Sequence, residues 1–147
     1  MKKWISIIIC CLVLCSCGNR SSHHSIQETK EADSFYLKIE INKDFFLEKE
    51  EIQIHSSFEY VGEKEIHFDQ EPSMTVIITK RGEKSMVRKF EFSATKTIMN
   101  KGDVHNEEIK DFQLKKGKYS VLVDLSIFST GSRVYKLSTS PILFEVT

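Results

Sequence analysis

Five histidines and a full set of carboxylates are the side chains that could hold a metal or move a proton. His23 and His24 are adjacent in a polar stretch, and neighbouring residues cannot build a closed tetrahedral site. His55 and His67 are the candidate metal ligands, with Glu59 as a third donor. They fall on the outer face of two strands whose neighbours Ile54, Ile66 and Phe68 point inward. If those strands form a hairpin, His67 lies across from Glu59, and an exposed cross-strand pair accounts for this without a metal. His105 belongs to the polar loop Lys101 to Glu108 and should be solvated. Asp69 and Glu71 read as a solvated rim beside Pro72, and Asp124 sits on the outer face of its strand. No glycine-serine-glycine elbow and no phosphate loop with a lysine is present. No catalytic residue and no cofactor is assigned, and the chain is not expected to be an enzyme.

The remaining reactive groups are thiols, and all four cysteines sit at the start of the chain: Cys10, Cys11, Cys15 and Cys17. Lys2 and Lys3 precede an apolar stretch from Trp4 to Ser16. That stretch is shorter than the roughly 20 residues a membrane span needs, and it has the form of an export signal. Leu14-Cys15-Ser16-Cys17 resembles the lipobox of bacterial lipoproteins, with a small residue before the modified cysteine. Cys15 follows the bulky Leu14, so Cys17 is the matching position. The resemblance implies cleavage before Cys17, lipid on its sulfur and a place on the extracytoplasmic face of the cell membrane. More than one acyl chain gives stable anchoring. No thiol would then remain for a disulfide, a metal or a nucleophile, and packing alone must hold the exported domain.

Charge weighs against one class of partner. Positive and negative side chains balance at 21 each, which disfavours nucleic acid as a partner, because its binding usually needs a basic face. Residues 1–16 read as the signal peptide, and residues 17–33 as the lipidated cysteine and a tether with Ile26 its only large apolar side chain. Such a segment buries too little surface to order itself, and sixteen flexible residues reach roughly 20–25 Å.

Residues 34–147 change to a period of two, which argues half-buried strands. Phe35, Leu37, Ile39 and Ile41 alternate with polar neighbours, and Ile52, Ile54, Phe58 and Tyr60 share a face. Pairing Phe58 with Phe68 and Tyr60 with Ile66 around Gly62-Glu63-Lys64 keeps all four together. Met74, Val76 and Ile78 precede an Arg81-Gly82 turn, with Met86, Phe90 and Phe92 beyond it. Ile109 to Leu114 is a further short strand, and Asn106 to Lys110 could form a turn of helix. Tyr119, Val121, Val123, Leu125 and Ile127 make the cleanest strand, then Gly131-Ser132 turns into Val134 to Leu137. Ile142, Phe144 and Val146 finish the chain. Eight or nine strands at this spacing predict an all-β antiparallel sandwich.

Leu114-Lys115-Lys116-Gly117-Lys118-Tyr119 resembles the tyrosine corner of immunoglobulin-like sandwiches, where the phenol bonds back to upstream backbone. Val121 replaces the usual cysteine, which implies a disulfide-free immunoglobulin-like domain. Ile52 to Tyr60, the Arg81-Gly82 hairpin and Leu114 to Tyr119 also fall in the order found in sandwiches similar to the Bacillus intracellular proteinase inhibitor. Phe45-Phe46-Leu47, Leu122 and Phe128 break the alternation and could line a partner-binding patch. The expected function is a membrane-anchored, non-enzymatic interaction module for an envelope protein or wall component. The alternatives are a regulator of extracellular proteolysis acting through the loop Lys80 to Lys84, and an envelope metal-binding protein or enzyme.

Overall fold

A computed structural model describes residues 24–83, 86–93 and 97–147. Cys17, His23 and Lys84 lie outside the described residues. Thirteen strands form among the described residues: β1 Ile26–Ala32, β2 Phe35–Ile41, β3 Phe45–Phe46, β4 Ile52–Tyr60, β5 Ile66–His67, β6 Ser73–Lys80, β7 Met86–Ser93, β8 Ile98–Met99, β9 Asp103–Phe112, β10 Gly117–Leu125, β11 Phe128–Thr130, β12 Arg133–Tyr135 and β13 Ile142–Val146. One sheet has the order β1-β2-β4-β9 and the other β3-β13-β10-β6-β7. Two small ribbons, β5-β8 and β11-β12, close one end. The protein is an all-β sandwich. The extra elements beyond the expected eight or nine are mostly two- and three-residue strands.

Alternation explains the core. Phe35, Leu37, Ile39 and Ile41 of β2 face Val76, Ile78, Val121 and Val123 of the second sheet, and every one is at most 1% exposed. At one end of the sandwich Phe128 lies between Phe35, Phe58, Phe68 and Tyr135, with ring centroids 5.1–5.6 Å away. Offset and edge-on aromatic contacts of this kind add to area burial.

Several expectations change. β4 does not pair with the strand after it. It lies between β2 and β9, with Phe58 opposite Leu37 and His105, while Ile66 and His67 pair with Met99 and Ile98. Phe58 and Phe68 still touch, at 6.4 Å between rings, but as core neighbours and not as ladder partners. The tether ends sooner than Asp33: β1 runs in register along β2, from Ile26 opposite Ile41 to Ala32 opposite Phe35. Its inward positions are Ile26, Glu28, Lys30 and Ala32, so polar residues at an uncovered edge hide the strand from a hydrophobicity pattern. Edge strands often carry inward charges, which blunt pairing with another chain. β9, the opposite edge, does the same with His105 and Glu107. No helical turn forms at Asn106 to Lys110, which lie within β9.

The β6–β7 hairpin resolves through a bulge after Ile78: Val76 faces Phe90 and Met74 faces Phe92, both inward. β10 ends at Leu125, so Ile127 is 50% exposed and Phe128, after the bend, is fully buried.

Two tyrosines pin opposite ends of the sandwich. The Tyr119 hydroxyl donates to the Lys115 carbonyl at 2.6 Å, across Gly117. The Tyr60 hydroxyl donates to the Lys64 carbonyl at 2.6 Å, across Gly62. The two segments, Lys-Lys-Gly-Lys-Tyr and Tyr-Val-Gly-Glu-Lys, mirror each other. A side chain at Gly62 would place its Cβ 2.1 Å from the Tyr60 hydroxyl oxygen.

Candidate interaction surface

The structure separates the candidate metal ligands. His55 projects from the outer face of β4, between Glu40 of β2 and Glu108 of β9. Its Nε2 is 3.2 Å from the Glu108 carboxylate. His67 lies in the β5-β8 ribbon and meets Glu65 at 2.8 Å, while Glu59 faces Tyr36 and Val104. Among the described residues no group of three His, Cys, Asp or Glu side chains is placed to hold a metal ion. His24 is exposed. His105 is not in a solvated loop. It sits on the inward side of β9 with its side chain only 12% exposed, 3.0 Å from Glu107, because β9 begins earlier than the apolar pattern signals.

Charges dominate the outer face of the β1-β2-β4-β9 sheet. Lys38 donates to Glu40 and, with Ser25, holds that carboxyl below its ordinary range; nearby His55 contributes less. Glu31, directly across from Tyr36, raises the Tyr36 phenol by its negative charge and by accepting its hydrogen bond. Ser57 and Asn106 fill the row between these pairs. Asp69 is exposed, and Glu71 accepts a hydrogen bond from the Thr97 hydroxyl at 2.8 Å. Asp124 is half-buried between Thr75 and Ser138. Exposed polar pairs like these are stable in water without a ligand.

The other outer face differs in kind. The triplet Phe45-Phe46-Leu47 divides: Phe46 is fully buried, while Phe45 and Leu47 are 51% and 64% exposed. Phe45 lies opposite Glu145 of β13, one diagonal step from Leu143. Leu143 pairs with Ser120 and so lies one diagonal step from Leu122, which pairs directly with Ile77. Diagonal neighbours on a sheet are within reach of large side chains. Phe45, Leu143, Leu122 and Ile77 thus form an apolar band across four strands, with Leu143 half exposed at 50%. A depression of about 250 Å³ opens between Phe45 and Leu143 and is rimmed by Arg81, Lys118 and Glu145. Phe128, expected in this patch, belongs to the core. Leu143 and Ile77 were not expected there. The available signal was an apolar residue at the outward position of three successive partner strands.

No family model and no curated protein matches the chain. Among solved structures it is similar to a β-glucosidase from Listeria innocua in complex with gluconolactone, at 8% identity and a TM-score of 0.40. That match covers 84% of this chain and 16% of the glucosidase, so the chain spans a small part of that enzyme's length. It is also similar to the Northeast Structural Genomics Consortium target SoR45, at 11% identity and a TM-score of 0.39, covering 84% of each chain.

Proposed function

We propose that the protein is a lipoprotein held at the extracytoplasmic face of the cell membrane by lipid on Cys17. Its sandwich is a non-enzymatic interaction module of the immunoglobulin-like kind, and it binds another envelope protein through the outer face of the five-stranded sheet. The anchor rests on Leu14-Cys15-Ser16-Cys17 after an apolar leader. The immunoglobulin-like reading is supported by the Tyr119 corner and by β3 running parallel to the final strand β13 at the sheet edge.

The observation that carries the binding reading is the asymmetry between the two outer faces. One is covered by matched charges around Lys38, Glu40 and Glu108. The other leaves the band from Phe45 to Ile77 in contact with water, and contiguous apolar surface of this kind marks interaction sites. The test is photo-crosslinking in native cells. A crosslinker at Leu143 and one at Leu122 should trap the same membrane or wall-associated protein, and one at His55 should not. Equal products from all three positions, or none from Leu143 and Leu122, would reject this face as the site.

A second reading has one observation in its favour. Arg81 is exposed at a turn that its own N–H, donating to the Lys118 carbonyl at 2.8 Å, pins to the start of β10. A turn pinned in this way and presenting arginine could occupy the specificity pocket of a protease. If it does, purified protein slows a trypsin-like envelope protease and Arg81→Ala abolishes the effect.

A further inference from the structure

We infer that the end of the sandwich where β1 begins rests on the lipid surface, with Leu47 entering the headgroup boundary and Arg81, Lys115 and Lys116 facing phosphates. This rests on the reading of Cys17 as the lipidated residue.

The path of the chain sets the orientation. Ile26 begins β1 opposite Ile41, the last residue of β2. Residues 42–44 lead from that point to β3, and residues 113–116 lead from the end of β9 to the start of β10. The same end therefore gathers β3, the Lys80–Glu83 turn and the 113–116 loop. Ile26 is nine residues after Cys17, a stretch of chain that spans at most about 30 Å even when fully extended. The sandwich is itself about 30 Å long, judged from the nine residues of β4 at about 3.3 Å each. The end carrying Ile26 is thus held near the lipid. The opposite end, with Phe128 and the β11-β12 ribbon, reaches it only if the tether is stretched taut beside an inverted domain.

The surface at this end suits lipid. Leu47 is 64% exposed at the first position of a hydrogen-bonded turn whose central residues are Glu48 and Lys49. Glu50 donates its N–H to the Leu47 carbonyl at 3.0 Å, and the Leu47 N–H donates to the Glu50 carboxylate at 2.9 Å. Lys49 completes the turn with a φ of 73°, a left-handed conformation that a lysine adopts at a cost. Two hydrogen bonds and this left-handed residue fix the backbone that carries the exposed Leu47. Lys43, Lys80 and Lys118 already face Glu50, Glu83 and Glu145. Lys49, Arg81, Lys115 and Lys116 are exposed and have no ion pair among the described residues. Asp44, Glu48, Glu51 and Asp111 offset them in sum, so insertion of Leu47 makes the contact and the cations add local phosphate pairing. In this pose the sheets stand upright and the apolar band at Leu143 stays open to a protein partner.

The experiment uses the full chain, processed in cells and reconstituted into vesicles of phosphatidylethanolamine and phosphatidylglycerol with brominated acyl chains. The sequence has one tryptophan, Trp4, which leaves with the leader. Leu47→Trp and Val134→Trp then report the two ends, and both positions are exposed, at 64% and 70%, so the core is untouched. Leu47→Trp should be quenched about twofold or more, as expected for side chains a few ångströms below the headgroups, with Val134→Trp unaffected. Protein that floats with the vesicles while both tryptophans respond alike overturns the orientation and leaves the anchor standing. Protein that does not float and shows no acyl mass on Cys17 overturns the anchor, and the orientation falls with it.

Discussion

Gly62→Ala isolates one close contact and gives a sign that decides the argument. Gly62 does not have a positive φ, unlike Gly82, Gly102 and Gly131. In open space the change to alanine would therefore stabilise the protein by roughly 0.4–1 kcal/mol, by restricting the unfolded chain. Here the new Cβ would fall 2.1 Å from the Tyr60 hydroxyl oxygen and 2.3 Å from the adjoining ring carbon. The ring must swing away, although Tyr60 is only 6% exposed and packs on Phe35 at 5.2 Å. Overpacking costs about 1–3 kcal/mol, and loss of the bond from Tyr60 to the Lys64 carbonyl adds about 1 kcal/mol. After the unfolded-state gain, a net loss of about 1–3.5 kcal/mol is expected. Urea unfolding followed by circular dichroism measures it. In a Tyr60→Leu background the obstruction is gone and Gly62→Ala should cost less than about 0.5 kcal/mol, a clear failure of additivity. A neutral or stabilising Gly62→Ala in the native background, or strict additivity of the two changes, would refute the clash.

Three further outcomes follow from the same structure. Phe128→Ala, which empties the centre of the aromatic end, should lose about 3–5 kcal/mol by the same urea assay, whereas Ile127→Ala beside it should stay within about 0.5 kcal/mol. Tyr119→Phe removes one hydroxyl donor and should cost about 0.5–1.5 kcal/mol, with protease cleavage increasing first near Lys115 and Lys116. Glu40 has a carboxyl held below its ordinary 4.5, chiefly by the Lys38 hydrogen bond. Its contribution is complete above the unfolded value and disappears as pH falls through the lower folded one. Glu40→Gln should therefore flatten the decline of the urea midpoint below about pH 4.5, and an unchanged slope would contradict the pairing.

Alternation made the inner faces of β2, β4, β6, β10 and β13 legible, because each of these strands is paired on both sides or covered, and its period of two reports burial directly. Tyr119 was legible for a different reason: glycine, loop and strand onset stand next to one another in the chain. Its mirror at Tyr60 has the same ingredients in reverse order, with the glycine after the strand, so it lacks the pattern of a corner at a strand onset. Pairing was harder. Consecutive strands are neighbours in most sheets, which favoured a Phe58–Phe68 hairpin, but the chain leaves the first sheet after Tyr60 and returns only at Asp103. Edge strands were hardest. Inward positions filled by Glu28, Lys30, His105 and Glu107 erase the apolar signal, so β1 resembled a spacer and most of β9 a polar loop. The apolar band needed register as well as pattern, since Leu143, Leu122 and Ile77 are far apart in sequence and adjoin only across the ladder.

The way β1 is attached has a mechanical consequence. Its ladder runs along β2 over seven residue pairs, and the chain leaves at Ile26, at the end of the sheet. A pull on the residues before Ile26, directed along the strand, stresses all of those hydrogen bonds together in shear. A sideways pull would open them one at a time from the end, as a zipper does. Axial tension from the N-terminal chain is thus shared along the whole ladder and passed through β2 into β4. The strand that composition disguises as slack rope is built as a strap, gripped along its length.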